Sequence, residues 1–273
     1  MARPWYKIST VNAPIRRRQL IHRNWLGVLG FLCAGLVWYL ISVTGAISPI
    51  LLPGPITVGH TFVQVLLHGY RGTTLTEDVG VTLYRAGLGY GLGCLIGVPL
   101  GLAMGYNSKI AAVFDLPIQF IRPIPPLSFL VLLLLWFGTG DSSKVAFLFI
   151  CALPVVVTGT AAGVRSVKVR DLQVAESLGA NKWQVFRHVV VPASLPPIFT
   201  SLRIAMGITF GGVVGAEILA ATNGLGWMIF SASEFLRNDI VIMCILILGV
   251  IGVILNLGLG AIDSRVVHWR GRA

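Results

Sequence analysis

The fold class this sequence predicts is all-α, a polytopic membrane protein of six transmembrane helices, on three observations. Of its 273 residues, 55% are apolar and only 11% charged, whereas a soluble domain carries roughly 25% charged residues. The apolar residues gather into runs of about 20, the length a helix needs to cross a bilayer, and mean hydropathy is +0.83. Basic residues collect in alternate gaps between the runs.

Residues 1–24 form a basic N-terminal segment. The first span, 25–44, contains no charge and is longer than the apolar core of a secretory signal, so it reads as an anchor. A second span covers 79–105, with Arg85 near its start. The third, 113–137, is interrupted by Arg122-Pro123-Ile124-Pro125-Pro126. A fourth covers 145–163, the fifth covers 203–222 and holds Glu217, and the sixth, 240–262, is apolar apart from Asn256. Residues 25–262 thus form the membrane domain, with its longest loop at 164–194 and a tail at 263–273.

Orientation follows from the Lys/Arg bias of the loops. Of 21 basic residues, 15 fall on the side that holds both termini and three (Arg71, Lys144, Arg237) on the other. Both termini are therefore expected in the cytoplasm. Net charge +11 is explained as topology, and no aromatic-and-basic module points to nucleic acid.

The chain lacks the residues for chemistry of its own. There is no G-x-x-x-x-G-K-[ST] phosphate loop, no G-x-S-x-G elbow and no H-E-x-x-H. The five histidines are scattered, and the four cysteines (Cys33, Cys94, Cys151, Cys244) lie in apolar runs without metal-ligand spacing. No catalytic residue and no metal site is expected.

The 164–194 loop carries more information. Residues 171–178 have helical spacing, Gly179 supplies the left-handed residue that ends a helix, and Asn181-Lys182-Trp183-Gln184 starts a second short helix. Pro192, Pro196 and Pro197 are expected to stop and redirect the chain before span five. A plain reading is a solvated helical hairpin. A sharper one is a docking element whose apolar side (Leu172, Val174, Ala175, Leu178) inserts into a partner's groove.

The sharper reading gains support from a resemblance. Gln173-Val174-Ala175, three residues, Gly179, nine residues, then Val189-Val190-Val191-Pro192 resembles the E-A-A-x3-G-x9-I-x-L-P loop of ABC importer permeases. Gln173 stands where the motif has Glu and Val191 where it has Leu. The likeness extends to residues 51–55 (LLPGP), Gly97-Val98-Pro99-Leu100-Gly101, Arg122 to Leu127, Trp136-Phe137-Gly138, and Gly215-Ala216-Glu217 followed by Gly224-Leu225-Gly226. Over about residues 25–262 the chain is similar to the nitrate/taurine/sulfonate branch, the taurine permeases in particular.

That resemblance implies the type I ABC importer transmembrane fold in the bacterial inner membrane. It implies two permease copies as a homodimer, two ATPase subunits and a periplasmic binding protein that delivers the solute. ATP and Mg would be bound by the ATPases and no cofactor by this chain. Gln173, Val174, Ala175, Leu178, Gly179, Ala180 and Pro192 would then form the ATPase-coupling element. The solute would be a sulfonate such as taurine, or else nitrate, bicarbonate, an alkanesulfonate or an aromatic or heterocyclic acid. Two other classes remain: an ion-driven secondary transporter, which would be expected to show an inverted repeat, and a membrane enzyme, for which no nucleophile or metal cluster is present.

Ionisable groups inside spans are costly and are functional candidates. At ~1.5 Å rise per residue, Arg85 and Glu217 lie roughly equally deep below the outer edge. They either form a buried salt bridge or contribute to an anion site. Arg122, beside Pro123, Pro125 and Pro126, either lines the pathway or marks a kink in a packed helix, since unpaired carbonyls are tolerated only against protein or water. Gly89, Gly93, Gly97, Gly101 and Gly105 repeat every four residues and predict close helix packing. The amphipathic stretch 57–67 either rests on the membrane surface or meets the delivery protein.

Overall fold

The structure, a computed structural model, describes residues 17–268. Residues 1–16 of the basic N-terminal segment and 269–273 of the tail lie outside the described residues. The chain forms two compact units, one ending at Thr57 and one beginning at Val58.

The first unit is built on α1 (Arg17–Thr44), whose apolar stretch is Gly27–Thr44. Phe31, Leu36 and Val43 stand exposed along it, as suits a helix whose solvent is lipid. After it the chain turns back, and Trp38 Nε1 donates to the Pro53 carbonyl (3.1 Å).

Helix α2 (Pro55–His68) lies in the second unit from Val58 on and buries Val58, Thr61 and Val65 on one face. Next comes α3 (Leu75–Tyr106), started by a reciprocal cap between Thr74 and Glu77. The glycine stripe then decides the architecture. Added Cβ atoms at Gly89, Gly93, Gly97, Gly101 and Gly105 would collide with Leu148, Ala152, Val156, Thr160 and Val164 of α6 (Asp141–Arg165). The two numbers rise together, so α3 and α6 run parallel at near-backbone contact along five successive turns.

Parallel neighbours require a return crossing between them. That return is α4 (Ser108–Ile121) and α5 (Pro126–Phe137), bent by 95° at the break. Ala111 and Ile118 of α4 pack with Met104, Val157 and Ala161 at one end of the bundle, and Leu130 and Leu133 of α5 pack with Ala86, Phe147 and Leu148 at the other. The interruption expected in the third span is thus a sharp bend. The cause is local: three prolines within four residues remove the N–H groups a continuous helix would use.

From α6 the chain enters a hairpin, α7 (Val169–Ser177) and α8 (Lys182–Val185), then a π-helical turn (Phe186–Val190) and α9 (Val191–Ala220). Here two expectations fail. Pro192, Pro196 and Pro197 do not stop the chain, and the fifth crossing starts well before residue 203, because helix is unbroken from Lys182 to Ala220. Pro192 falls in the first turn of α9, where the π turn has already shifted the bonding register, so its missing N–H costs little. Further on, the Thr200 hydroxyl donates to the carbonyl of Pro196 (3.1 Å), and Gly163 of α6 leaves room for Pro197.

Helix α9 runs antiparallel to α6, with Gly159 against Ser201 and Gly212 against Cys151. A short α10 (Leu225–Glu234) precedes α11 (Asn238–Val266), which returns antiparallel to α9 and is held by Arg203–Asp263 (2.9 Å). Lys144, expected in a loop, lies inside α6, 1% exposed. Its ammonium donates to the carbonyls of Thr139 (2.6 Å) and Gly140 (3.0 Å) ahead of that helix. Among the described residues, five helices are long and apolar enough to cross a membrane, and the bent pair makes six.

The α3–α6 contact yields a test. Gly101→Val should destabilise the detergent-purified protein by about 1–3 kcal/mol or more through overpacking against the Val157 carbonyl and Thr160. Gly91→Ala, on the same helix with open space around it, should be neutral or stabilise by up to about 1 kcal/mol. Thermal unfolding in micelles measures both.

Candidate functional site

Three groups of residues stand out at three depths of the second unit: the α7–α8 hairpin at one end of the bundle, a cleft at the α4–α5 break in the middle, and a buried polar cluster at the far end.

The hairpin is built by two local devices. Helix α7 ends in Gly179 at φ +83°. Its N–H donates to the Glu176 carbonyl (2.9 Å), and that of Ala180 donates to Ala175 (3.1 Å). This is the paired closure of a Schellman motif, and it needs a left-handed residue at position 179. Helix α8 starts with a reciprocal cap between Asn181 and Gln184. The expected single apolar side is in fact divided. Leu172, Ala175 and Ala180 turn inward onto Val164, Val185 and Val190, while Val174, Leu178 (83% exposed) and Trp183 face out, beside exposed Gln173. The division follows helical geometry, since 172 and 175 share one face and 174 and 178 the other. Tyr106 fixes the hairpin to the end of α3: its hydroxyl donates to the Lys182 carbonyl (3.1 Å), and its ring lies 4.9 Å from that of Phe186.

The middle group surrounds a cleft of about 280 Å³. It is lined by Arg122, Pro126 and Phe129 at the break, by Ile150, Cys151 and Pro154 of α6 and by Ile208 of α9. Arg122 is the last residue before the bend, and its side chain is exposed, as are Pro123 and Pro125.

The far group brings Arg85 and Glu217 together. Arg85 is 3% exposed and Glu217 fully buried, and Nη1 donates to Oε1 at 2.9 Å. Every remaining donor direction of the guanidinium is taken: Nε and Nη2 reach Asp141 Oδ1 at 2.7 Å, Nη1 the Asn223 carbonyl at 3.0 Å, and Nη2 Asn223 Oδ1 at 2.6 Å. Glu217 is equally saturated. It accepts from the Thr82 hydroxyl (3.0 Å to each oxygen) and from the Gly226 N–H (2.9 Å). Asp78 extends the cluster by accepting from the Gly224 N–H (2.6 Å) and the Thr73 hydroxyl (2.8 Å). The backbone therefore passes close to the carboxylate, and a Cβ at Gly224 (φ +106°) would sit on it. A guanidinium and a carboxylate so matched form a structural clasp of α3, α6, α9 and the turn before α10.

Sequence reasoning named Arg85 and Glu217 but passed over Asp78, Thr82, Asp141 and Asn223. A signal was present for two of them. Asp78, Thr82, Arg85 and Gly89 repeat at helical spacing on the face that continues as the glycine stripe, so polar groups there had to meet the same neighbour. Asp141 opens α6 and Asn223 lies in the turn before α10, and neither carries such a pattern.

Residues 97–268 match the family model described as binding-protein-dependent transport system inner membrane component. The taurine transport system permease protein TauC of Escherichia coli K12 is 37% identical over 236 residues, 86% of each chain. The putative aliphatic sulfonates transport permease protein SsuC of Bacillus subtilis 168 is 30% identical over 234 residues, 86% of this chain and 83% of that one. A solved structure of the MetNI methionine ABC transporter in an inward-facing conformation superposes with TM-score 0.63 at 19% identity, covering 70% of this chain and 95% of that one. It supports the fold.

Removing one partner of the clasp should be costly. Glu217→Gln leaves Arg85 without its buried counter-charge and should destabilise the purified protein by about 3 kcal/mol, the lower end for a broken buried pair because Asp141 and Asn223 still accept. Asp141→Asn should cost less, since that side chain is half exposed and water screens the pair. Unchanged thermal stability of Glu217→Gln would show that the pair does not clasp these helices.

Proposed function

The chain belongs to the family of binding-protein-dependent transport system inner membrane components, as an ABC importer permease of the taurine, sulfonate and nitrate branch, and from that premise we propose that the solute it carries is a small organic sulfonate, taurine itself. Two copies of the chain form the pathway. Two ATPase subunits seat on the α7–α8 hairpins and hold the ATP and Mg, and a periplasmic binding protein delivers the solute to the opposite face. Both termini lie in the cytoplasm, on the side of the hairpin, in keeping with the basic residues of that side.

The observation that carries this reading is the hairpin. It exposes Val174, Leu178 and Trp183, apolar groups that a solvated loop would not present together and that a groove on a partner would cover. Its inner face, Leu172, Ala175 and Ala180, rests on the ends of α6 and the π turn. Motion of the outer face therefore enters the spans directly. The taurine assignment rests on the likeness to TauC, and SsuC keeps other alkanesulfonates next in line.

Two measurements test the proposal. The tagged permease, co-purified with its ATPase and reconstituted, should show ATPase activity stimulated by taurine-loaded binding protein. A complex that forms but responds only to another anion transfers the assignment to that anion, and the absence of any ATPase partner overturns the importer assembly. Gly179→Val should also separate docking from drive. With open space around Gly179, the penalty is the left-handed backbone alone, about 1–2 kcal/mol. The protein should fold while stimulated ATPase and uptake fall several-fold; full coupling in that variant would release the hairpin from its role.

A further inference from the structure

We propose that the cleft at the α4–α5 break is a solute site of the permease itself and that it takes one small monovalent oxyanion carrying a short apolar stub, of which an organic sulfonate is the type, with Arg122 as its counter-charge. The proposal rests on the importer reading for the passage of a solute between these helices. Its charge and size come from the cleft.

Depth comes first. The lining residues Ile150, Cys151, Pro154 and Val155 lie about 15–20 Å along α6 from Asp141 at ~1.5 Å per residue, the middle of a 25-residue helix. An ionised side chain at that depth is expensive unless it faces water or an opposite charge. Arg122 is exposed and makes no ion pair or side-chain hydrogen bond with the described residues. It is placed to meet a charge that is not part of the chain.

The second observation separates the two deep arginines. Arg85 gives its donors to Asp141, Glu217 and Asn223, so its charge is spent within the fold. Among the described residues that line the cleft Arg122 is the only charged one, and no carboxylate is among them. The C-terminus of α4 and the N-terminus of α5 meet at this break with opposed dipole ends, so the guanidinium sets the sign of the site. At low dielectric such a site favours an anion and rejects a cation. One guanidinium offsets one negative charge.

The third is size and lining. About 280 Å³ stands at the low end of the ~300–1,000 Å³ of ligand pockets, room for a small solute. Phe129, Ile150 and Ile208 offer it apolar wall. An inorganic anion would leave that wall uncovered, whereas a sulfonate with one or two carbons covers part of it.

The test reads charge preference without needing the physiological solute. In the assembled complex, with Cys33, Cys94, Cys151 and Cys244 replaced by alanine, Ile208→Cys is treated with two thiosulfonate reagents of equal length, one ending in a sulfonate and the other in a trimethylammonium. Each rate is divided by that with a free thiol. The sulfonate reagent should win by about tenfold or more, Arg122→Gln should erase the preference, and Arg122→Lys should keep most of it. No preference in the parent overturns the proposal, as does one that survives Arg122→Gln. So does a cysteine that neither reagent reaches, since no solute-sized path would then lead to the cleft. In proteoliposomes Arg122→Gln should lower taurine uptake at least about tenfold, partly rescued by Arg122→Lys. Failure of the importer reading would show separately, as absence of binding-protein-stimulated ATPase in the parent complex, because the labelling needs no ATP.

Discussion

The parallel contact of α3 with α6 is the constraint on which the rest of the second unit depends. Five glycines let two backbones meet along the whole depth of the bundle, and dispersion between close-packed helices is what holds membrane proteins together once lipid has cancelled the hydrophobic drive. Parallel neighbours cannot be joined by a short turn. The chain between them must recross the bundle, and it has only the 30 residues of α4, the break and α5 to do so. The recrossing is bent by 95°, and the bend leaves a cleft beside α6 and α9 where a straight helix would have filled the space. Close packing at one contact thus produces open space at the next.

The same register places charge. With α3 and α6 parallel, Arg85 stands one turn before the first glycine contact, at the level of Asp141, the first residue of α6. Antiparallel α9 brings Glu217 to that level from the other direction. Ionised groups buried at the end of a bundle persist only when each is matched and hydrogen-bonded, and here the turn 223–226 supplies backbone N–H groups and a carbonyl for what the side chains leave over. Glycine at 224 and 226 is what lets that turn approach the carboxylate. The two deep arginines therefore differ in kind: Arg85 is closed by the fold, and Arg122 is left open by it.

Most of the fold was legible from hydropathy and small-residue spacing, because in lipid the backbone must satisfy itself and span lengths are set by the bilayer. The glycine stripe announced close packing, though not its partner, since a stripe specifies approach without direction. Gly179 and the helix start at 181–184 were legible for the same reason: each is dictated by local backbone geometry. What escaped was tertiary. Pro192, Pro196 and Pro197 read as a stop because their missing donors are a local fact, while the π turn and the space that Gly163 of α6 leaves for Pro197 come from context. Lys144 read as a loop cation because nothing in its spacing shows that its ammonium folds back onto the carbonyls before α6. The hairpin's apolar residues were counted as one face when the helix turns them to two.

These arrangements also fix how displacement at the hairpin would travel. Helix continues without a break from Lys182 to Ala220, about 60 Å of rod at ~1.5 Å per residue. One end carries the π turn that seats the hairpin, and the other ends in Glu217, held by the guanidinium of Arg85 and the turn before α10. Ile208, facing the cleft, lies between. A rod clasped at one end and pushed at the other pivots about the clasp, so its middle must move relative to α6, against which it packs through small residues at Gly159, Ser201 and Gly212. The bent α4–α5 crossing, unsupported by continuous hydrogen bonds at its break, is the neighbour least able to follow rigidly. The cleft is therefore the part of the second unit whose shape is most sensitive to the position of the hairpin, and of the two deep arginines it contains the one the fold has left unmatched.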